Sequence, residues 1–204
     1  MKFSYWLGYS FFKLTARSLF NYRVIGRERL DMDGGALAVC NHASFLDPPF
    51  AGIAFEDDIY YLARKSLMSN RVVAAVYRAW NTIPVDQDRP DMSSVKSVIR
   101  LLKDGKKVLV FPEGSRTEDG ELLPGEPGCG LIVAKSGVPV IPMRLFGTRE
   151  AWPRGSKTIQ PAEITLVVGN TWHYNPAKYA LLSGKELYQA ISDDLMAEIA
   201  SIQL

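Results

Sequence analysis

Apolar residues fall in short runs, and amphipathic stretches separate them along most of the chain. The runs ALAVC at 36–40, KVLVF at 107–111 and VPVIPMRLF at 138–146 have the character of strands buried on both faces. Shorter runs at 22–26, 59–64, 81–85 and 164–169 complete the strand expectations. Between them, 48–55, 66–80, 90–104, 128–136 and 184–202 read as helices. In 90–104, Val95, Val98, Ile99 and Leu102 share one face and Gly105 supplies the stop; Gly137 closes 128–136 in the same way. Pro139 and Pro142 predict a strand opening and a bulge or edge position within 138–146. Strands alternating with helices predict an α/β fold: a layered, mixed or mainly parallel sheet flanked by helices. No repeat, low-complexity tract or composition break divides residues 22–204, which are expected to form one domain.

The opening MKFSYWLGYSFFKLTARSLF is patterned differently and predicts an N-terminal amphipathic helix within segment 1–21. Wound at about 100° per residue, it gathers Lys2, Lys13 and Arg17 into one narrow sector. Phe3, Leu7, Phe11 and Leu14 lie on one side of that sector, and Tyr5, Phe12, Ala16 and Leu19 on the other. Its charge-free run, 3–12, is shorter than the ~20 apolar residues of a spanning helix. No apolar core leads to a small-residue cleavage site, as a signal peptide would have. Such a helix suits an anionic membrane interface, with aromatics at headgroup level, or packing on its own domain; the two are compatible.

Composition changes this picture little. With 204 residues, 47% hydrophobic and 23% charged, the chain is large enough for a real core and unlike a disordered one. The net charge of +2 hides an uneven distribution. Up to Leu30, the basic residues Lys2, Lys13, Arg17, Arg23, Arg27 and Arg29 face only Glu28. Two cysteines, Cys40 and Cys129, sit in apolar surroundings, form no metal pattern, and read as reduced, buried thiols. Nothing points to nucleic acid.

Chemistry concentrates after two strands. In VCNHASFLDPPF, at 39–50, the strand 36–40 delivers Asn41 and His42 at its carboxyl end, where open α/β sheets place ligands. Asp47 precedes Pro48 and is expected to cap a helix over 48–55. A loop over 43–46 can return its carboxylate to the His42 imidazole. A histidine so held is a general base. The alternative is a plain cap beside a bystander histidine. No protein nucleophile accompanies it: there is no G-x-S-x-G elbow, and Cys40 is too apolar in context. A substrate hydroxyl is the better proton donor. The second stretch, FPEGSRT at 111–117, places Gly114, Ser115, Arg116 and Thr117 where an anion-binding turn would sit, with Glu113 holding Arg116 or accepting bonds from a polyol. An ordinary turn is the alternative, and no P-loop is present.

These residues resemble the glycerolipid acyltransferases of the 1-acylglycerol-3-phosphate acyltransferase type. The family's N-H-x-x-x-x-D matches Asn41-His42 through Asp47, and its F-P-E-G-[ST]-R-[ST] matches Phe111 to Thr117. Its valine-proline strand matches Val138-Pro139-Val140-Ile141-Pro142, in the same order and spacing, and the likeness runs over about 22–171. The resemblance implies transfer of a fatty acyl group from acyl-CoA or acyl carrier protein to the hydroxyl of lysophosphatidic acid, giving phosphatidic acid. His42 would be the base and Asp47 its orienting partner. Asn41, Lys65, Arg89, Glu113, Gly114, Ser115, Arg116 and Thr117 would bind substrate, with no cofactor and no metal. It also implies a peripheral enzyme of phospholipid biosynthesis at the cytoplasmic face of a membrane. Two departures concern the acceptor. Where relatives have I-P-V-D-R, this chain has Gln87, with Arg89 two residues on. The segment 124–128 lacks the lysine relatives carry there and has Glu126. Lys65, Arg89, Arg149, Arg154 or Lys157 would have to compensate; His173 reads as structural. Another lysophospholipid or alcohol acceptor, a hydrolase, and a non-catalytic lipid-binding module are the competing readings.

Overall fold

The computed structural model describes residues 2–86 and 92–204. Seven strands form one sheet: β1 (Arg23–Ile25), β2 (Ala36–Cys40), β3 (Tyr60–Arg64), β4 (Thr82–Val85), β5 (Lys107–Val110), β6 (Val140–Phe146) and β7 (Thr165–Val168), in the order β1-β7-β6-β2-β5-β3-β4. From β6 to β4 the pairing is parallel; β7 runs antiparallel to β6 and carries β1 parallel to itself. The sheet is therefore mixed and mainly parallel.

Helices cover both faces. They are α1 (Phe3–Leu19), α2 (Asp47–Gly52), α3 (Arg71–Ala79), α4 (Met92–Lys103), α5 (Pro127–Ser136), α6 (Thr148–Ala151) and α7 (Gly184–Ser201). Period-two alternation along β2 divides the core. Ala36, Ala38 and Cys40 pack with Ala16, Phe20, Phe50 and Phe55 under α1 and α2. Leu37 and Val39 pack with Val98, Leu102, Ile132, Leu195 and Ile199 under α4, α5 and α7. Buried on both faces, β2 has no polar residue within it. α5 and α7 approach so closely that a Cβ on Gly130 would lie 2.0 Å from the Tyr188 carbonyl oxygen. Only glycine permits that contact.

Three local expectations differ. The stretch 66–80 is a short 3₁₀ turn, Lys65–Met68, followed by α3. The Asn70 side chain accepts the Val73 N–H and starts a new helix there. Strand β6 is central, between β7 and β2, although it contains Pro142. The Pro142 carbonyl accepts the Gly169 N–H just past the end of the β6–β7 ladder, so its missing donor breaks no ladder bond. The single turn α6, which follows Gly147 in left-handed conformation, had no sequence signal beyond that glycine. The expected start of α4 at residue 90 lies outside the described residues.

Helix α1 uses both of its apolar sides. Tyr5 and Ala16 are buried, and Tyr9 and Phe12 pack against the core. The Tyr5 hydroxyl lies 3.1 Å from that of Tyr61 and accepts the Ile59 N–H at 3.3 Å, while Phe12 meets Trp80 edge-on at 5.3 Å. Phe3, Leu7, Phe11 and Leu14 remain exposed on the opposite side. Among the described residues no helix is long and apolar enough to cross a membrane.

Candidate functional site

Strand order builds the site. β5 lies between β2 and β3, in register with β2 up to Val39 opposite Val110, so the loops after these two strands emerge side by side. After β2, the chain turns at His42 and folds back to Asp47. The Asp47 carboxylate is fully buried, and its Oδ2 accepts three bonds: from Ala43 N–H at 2.6 Å, Ser44 N–H at 2.7 Å, and His42 Nδ1 at 2.9 Å. Asp47 is thus the first residue of α2 rather than its cap. Its carboxylate caps the loop before it, because the short 43–46 link brings those N–H groups within reach. With Nδ1 donating to Asp47, Nε2 is the nitrogen left to accept a proton. The imidazole stacks on Phe111, with ring centroids 4.2 Å apart.

The loop after β5 holds this turn from the other side. The Glu113 side chain accepts the His42 N–H through Oε1 at 2.7 Å and the Leu123 N–H through Oε2 at 2.9 Å. Both oxygens are engaged by backbone, so Glu113 forms no ion pair with Arg116. Burial pushes the Glu113 carboxyl up to about 7, against the pull of those two N–H bonds, and the Asp47 charge adds to the rise. Thr117 donates its N–H to the His42 carbonyl at 2.9 Å, and its hydroxyl donates to Asp119 and accepts from Gly120. The Asn41 amide is clasped to the Leu145 backbone, donating to its carbonyl and accepting its N–H. Gly114 has φ +67, the left-handed turn that lets the chain reverse here.

His42 opens onto a cavity of about 1180 Å³. It exceeds the roughly 300–1,000 Å³ of ordinary ligand pockets. One end is charged: Arg64, Gly114, Ser115, Arg116, Glu126 and Arg154 line it beside His42. The remainder is mostly apolar and aromatic, walled by Tyr5, Tyr9 and Phe12 of α1, Trp80, Tyr61 and Ile132, with Asp86 also in the lining. Burial lowers the Arg116 pKa, and the nearby Arg154 and Arg64 charges lower it further against an opposing pull from Asp47. Three guanidiniums gathered at one end, with Glu118 paired to Arg154 at 3.3 Å and Glu126 at the border, are a setting for an anion.

Of the residues expected to bind substrate, Gly114, Ser115 and Arg116 line the cavity with His42, while Asn41 and Thr117 do not. Both make their polar contacts to protein groups instead, and Glu113, though at the wall, is likewise engaged. Lys65 is exposed outside the lining; Arg64 occupies the place foreseen for it. Arg89 lies outside the described residues. Among the other compensating cations Arg154 reaches the cavity, whereas Arg149 bonds to the Glu118 carbonyl and Lys157 is exposed. His173 is exposed and outside the lining, and both cysteines are buried, with burial pushing their thiols up. Arg64 was legible in principle as the last residue of a strand ending at the same edge as β2 and β5.

Comparison with known proteins agrees with this architecture. The sequence profile of the family described as acyltransferase matches residues 21–145. The 1-acyl-sn-glycerol-3-phosphate acyltransferase of Bacillus subtilis is 28% identical over 182 residues, covering 89% of this chain and 87% of that protein. That of Cocos nucifera is 31% identical over 134 residues, 64% of this chain but 44% of the longer plant protein. The crystal structure of the 1-acyl-sn-glycerophosphate (LPA) acyltransferase PlsC from Thermotoga maritima superposes with a TM-score of 0.75 at 25% identity, over 97% of this chain and 79% of that one.

Proposed function

This chain belongs to the acyltransferase family, and from that membership we propose that it transfers a fatty acyl group from acyl-CoA or acyl carrier protein to the free hydroxyl of lysophosphatidic acid, forming phosphatidic acid in phospholipid biosynthesis. The observation that carries this reading is one cavity with a charged end, where an Asp47-held His42 stands beside Arg64, Arg116 and Arg154, and a long apolar remainder. The charged end fits a phosphate and the apolar part fits acyl chain.

In the proposed mechanism the phosphate lies against the guanidiniums and the acceptor hydroxyl meets His42 Nε2. That nitrogen takes the hydroxyl proton as the oxygen attacks the thioester carbonyl. Asp47 Oδ2 fixes the ring and offsets the charge of the imidazolium. The tetrahedral adduct collapses by breaking its carbon–sulfur bond, and the departing thiolate takes the proton back from His42. The step is redox-neutral and passes through no covalent enzyme intermediate, so the acyl donor is a substrate and no cofactor enters. Segment 1–21 serves as the membrane-facing element, with Phe3, Leu7, Phe11 and Leu14 in the interface and Lys2, Lys13 and Arg17 on anionic headgroups at the cytoplasmic face; 22–204 is the catalytic body. Glu126 supports a second reading of the acceptor. Its exposed side chain borders the same charged end, its Cγ 3.1 Å from where a Cβ on Gly114 would be, and favours a lysophospholipid whose headgroup also bears an ammonium.

The deciding experiment is transfer from a labelled acyl thioester to lysophosphatidic acid, with wild type beside His42→Ala. Phosphatidic acid formation that drops by about 10³-fold in the variant is expected. Transfer only to an ammonium-bearing lysolipid would replace the acceptor, and release of free fatty acid at the same rate without acceptor would make the protein a hydrolase.

A further inference from the structure

Resting on that reading of the charged end as a phosphate site, we infer that Phe45 is a positioning residue that sets affinity for the acceptor by carrying the Arg116 guanidinium on its ring. Arg116 needs something to hold it, and among the described residues no carboxylate pairs with it. Glu113 gives both oxygens to backbone N–H groups, and Glu118 pairs with Arg154 at 3.3 Å. Among the described residues, the buried Arg116 Nη1 has no hydrogen-bond partner. What fixes the group is the Phe45 ring, with the Arg116 Cζ 3.4 Å from its centroid.

The choice of an aromatic ring has a chemical consequence. A carboxylate would orient the guanidinium by occupying its in-plane N–H donors, and would compete with a phosphate for them. A ring attracts the cation through its face and leaves the donor edge free for a bidentate contact. Phe45 stays 47% exposed, so core burial does not account for a large apolar ring at this position. The ring is braced nonetheless. It lies 5.3 Å from the Trp152 ring; the neighbouring Ser44 hydroxyl donates to the Trp152 carbonyl at 2.8 Å, and Ser44 bridges to Pro153. The same segment steadies Arg116, whose carbonyl accepts from Arg154 at 2.9 Å. Because Phe45 belongs to the turn that bears His42, the ring ties the phosphate position to the base.

The test is initial-rate kinetics with dispersed lysophosphatidic acid at saturating acyl-CoA for wild type, Phe45→Leu and Phe45→Trp. Leucine keeps apolar bulk without the ring, and tryptophan keeps the ring. The KM for the acceptor should rise about tenfold with leucine, equivalent to about 1.4 kcal/mol, and return with tryptophan. Both kcat and the KM for acyl-CoA should stay within about twofold. An unchanged acceptor KM in Phe45→Leu, or a loss in Phe45→Trp equal to that in leucine, overturns the inference. If the wild type does not acylate lysophosphatidic acid, the acceptor reading has failed and the platform is judged by NMR. An Arg116 Nε–H resonance displaced by the ring in wild type and shifted back in Phe45→Leu upholds it; a resonance indifferent to the substitution overturns it.

Discussion

The turn at 41–47 and helix α1 bound the same cavity by opposite means. The turn is fixed by directional bonds: three donors on one oxygen of Asp47, the Glu113 carboxylate on the His42 N–H, and the Asn41 amide clasped to Leu145. α1 is held mainly by apolar contact: Phe12 edge-on to Trp80, and Gly8 so close to that indole that a Cβ would lie 2.5 Å from its Nε1. Proton transfer tolerates little error in the position of a base, and hydrogen bonds supply that definition. Chain packing asks only for an apolar surface of the right width, which non-directional contact provides.

Each prediction attacks one side of this contrast. The largest effect is expected from Asp47→Asn, which sets an amide among three donors: kcat should fall by about 10³-fold or more with modest change in KM, read by steady-state kinetics. Stability should drop by about 3 kcal/mol in urea titration, because an uncharged amide oxygen accepts the three donors more weakly and its NH2 is left buried at the Oδ1 position, which has no hydrogen-bond partner. Glu113→Gln comes next. An amide can satisfy one of the two N–H groups but turns its own donors on the other, and kcat should fall about tenfold. Glu113 also leaves a pH signature. Its carboxyl is raised from 4.5 to about 7 on folding, so the folded chain holds a proton that the unfolded chain has released within that window. This group's contribution to stability therefore grows as pH falls from about 7 towards 4.5 and is lost as pH rises. Urea midpoints measured across that range should show a slope that the Gln variant lacks. The smallest effect on catalysis belongs to the other side of the comparison. Replacing Phe3, Leu7 and Phe11 together by serine should weaken sedimentation with anionic vesicles by about tenfold, while kcat on detergent-dispersed acceptor stays within about twofold. A matching loss of kcat there would mean that the outward face also shapes the cavity.

The strands, the mixed sheet and the pairing of His42 with Asp47 were legible because they rest on local signals: apolar runs, a turn of fixed length, a proline at a helix start. The polar residues between were harder to assign. Asn41, Glu113 and Thr117 have the chemistry of ligands, but their partners are backbone groups that local pattern does not reveal. Glu113 bonds His42 across 71 residues, and Asn41 bonds Leu145 across 104. Arg64 was passed over for Lys65 although the expected strand, 59–64, ends where β3 ends; the last side chain of the strand meets the cavity, and the next residue does not. The stacking of Phe45 under Arg116 left no trace in either motif taken alone.

Those two spans also govern how the protein comes to exist. During synthesis the turn bearing His42 emerges early, yet β2 finds its neighbours only when β5 and then β6 have been made. Until then the central strand has unpaired backbone on both edges, and the loops to be closed are long. Such non-local pairing is slow, and its intermediates expose apolar strand edges. A chain released before β6 would carry every atom of the proton-transfer pair and still lack both the Leu145 backbone that clasps Asn41 and one of the two neighbours of β2.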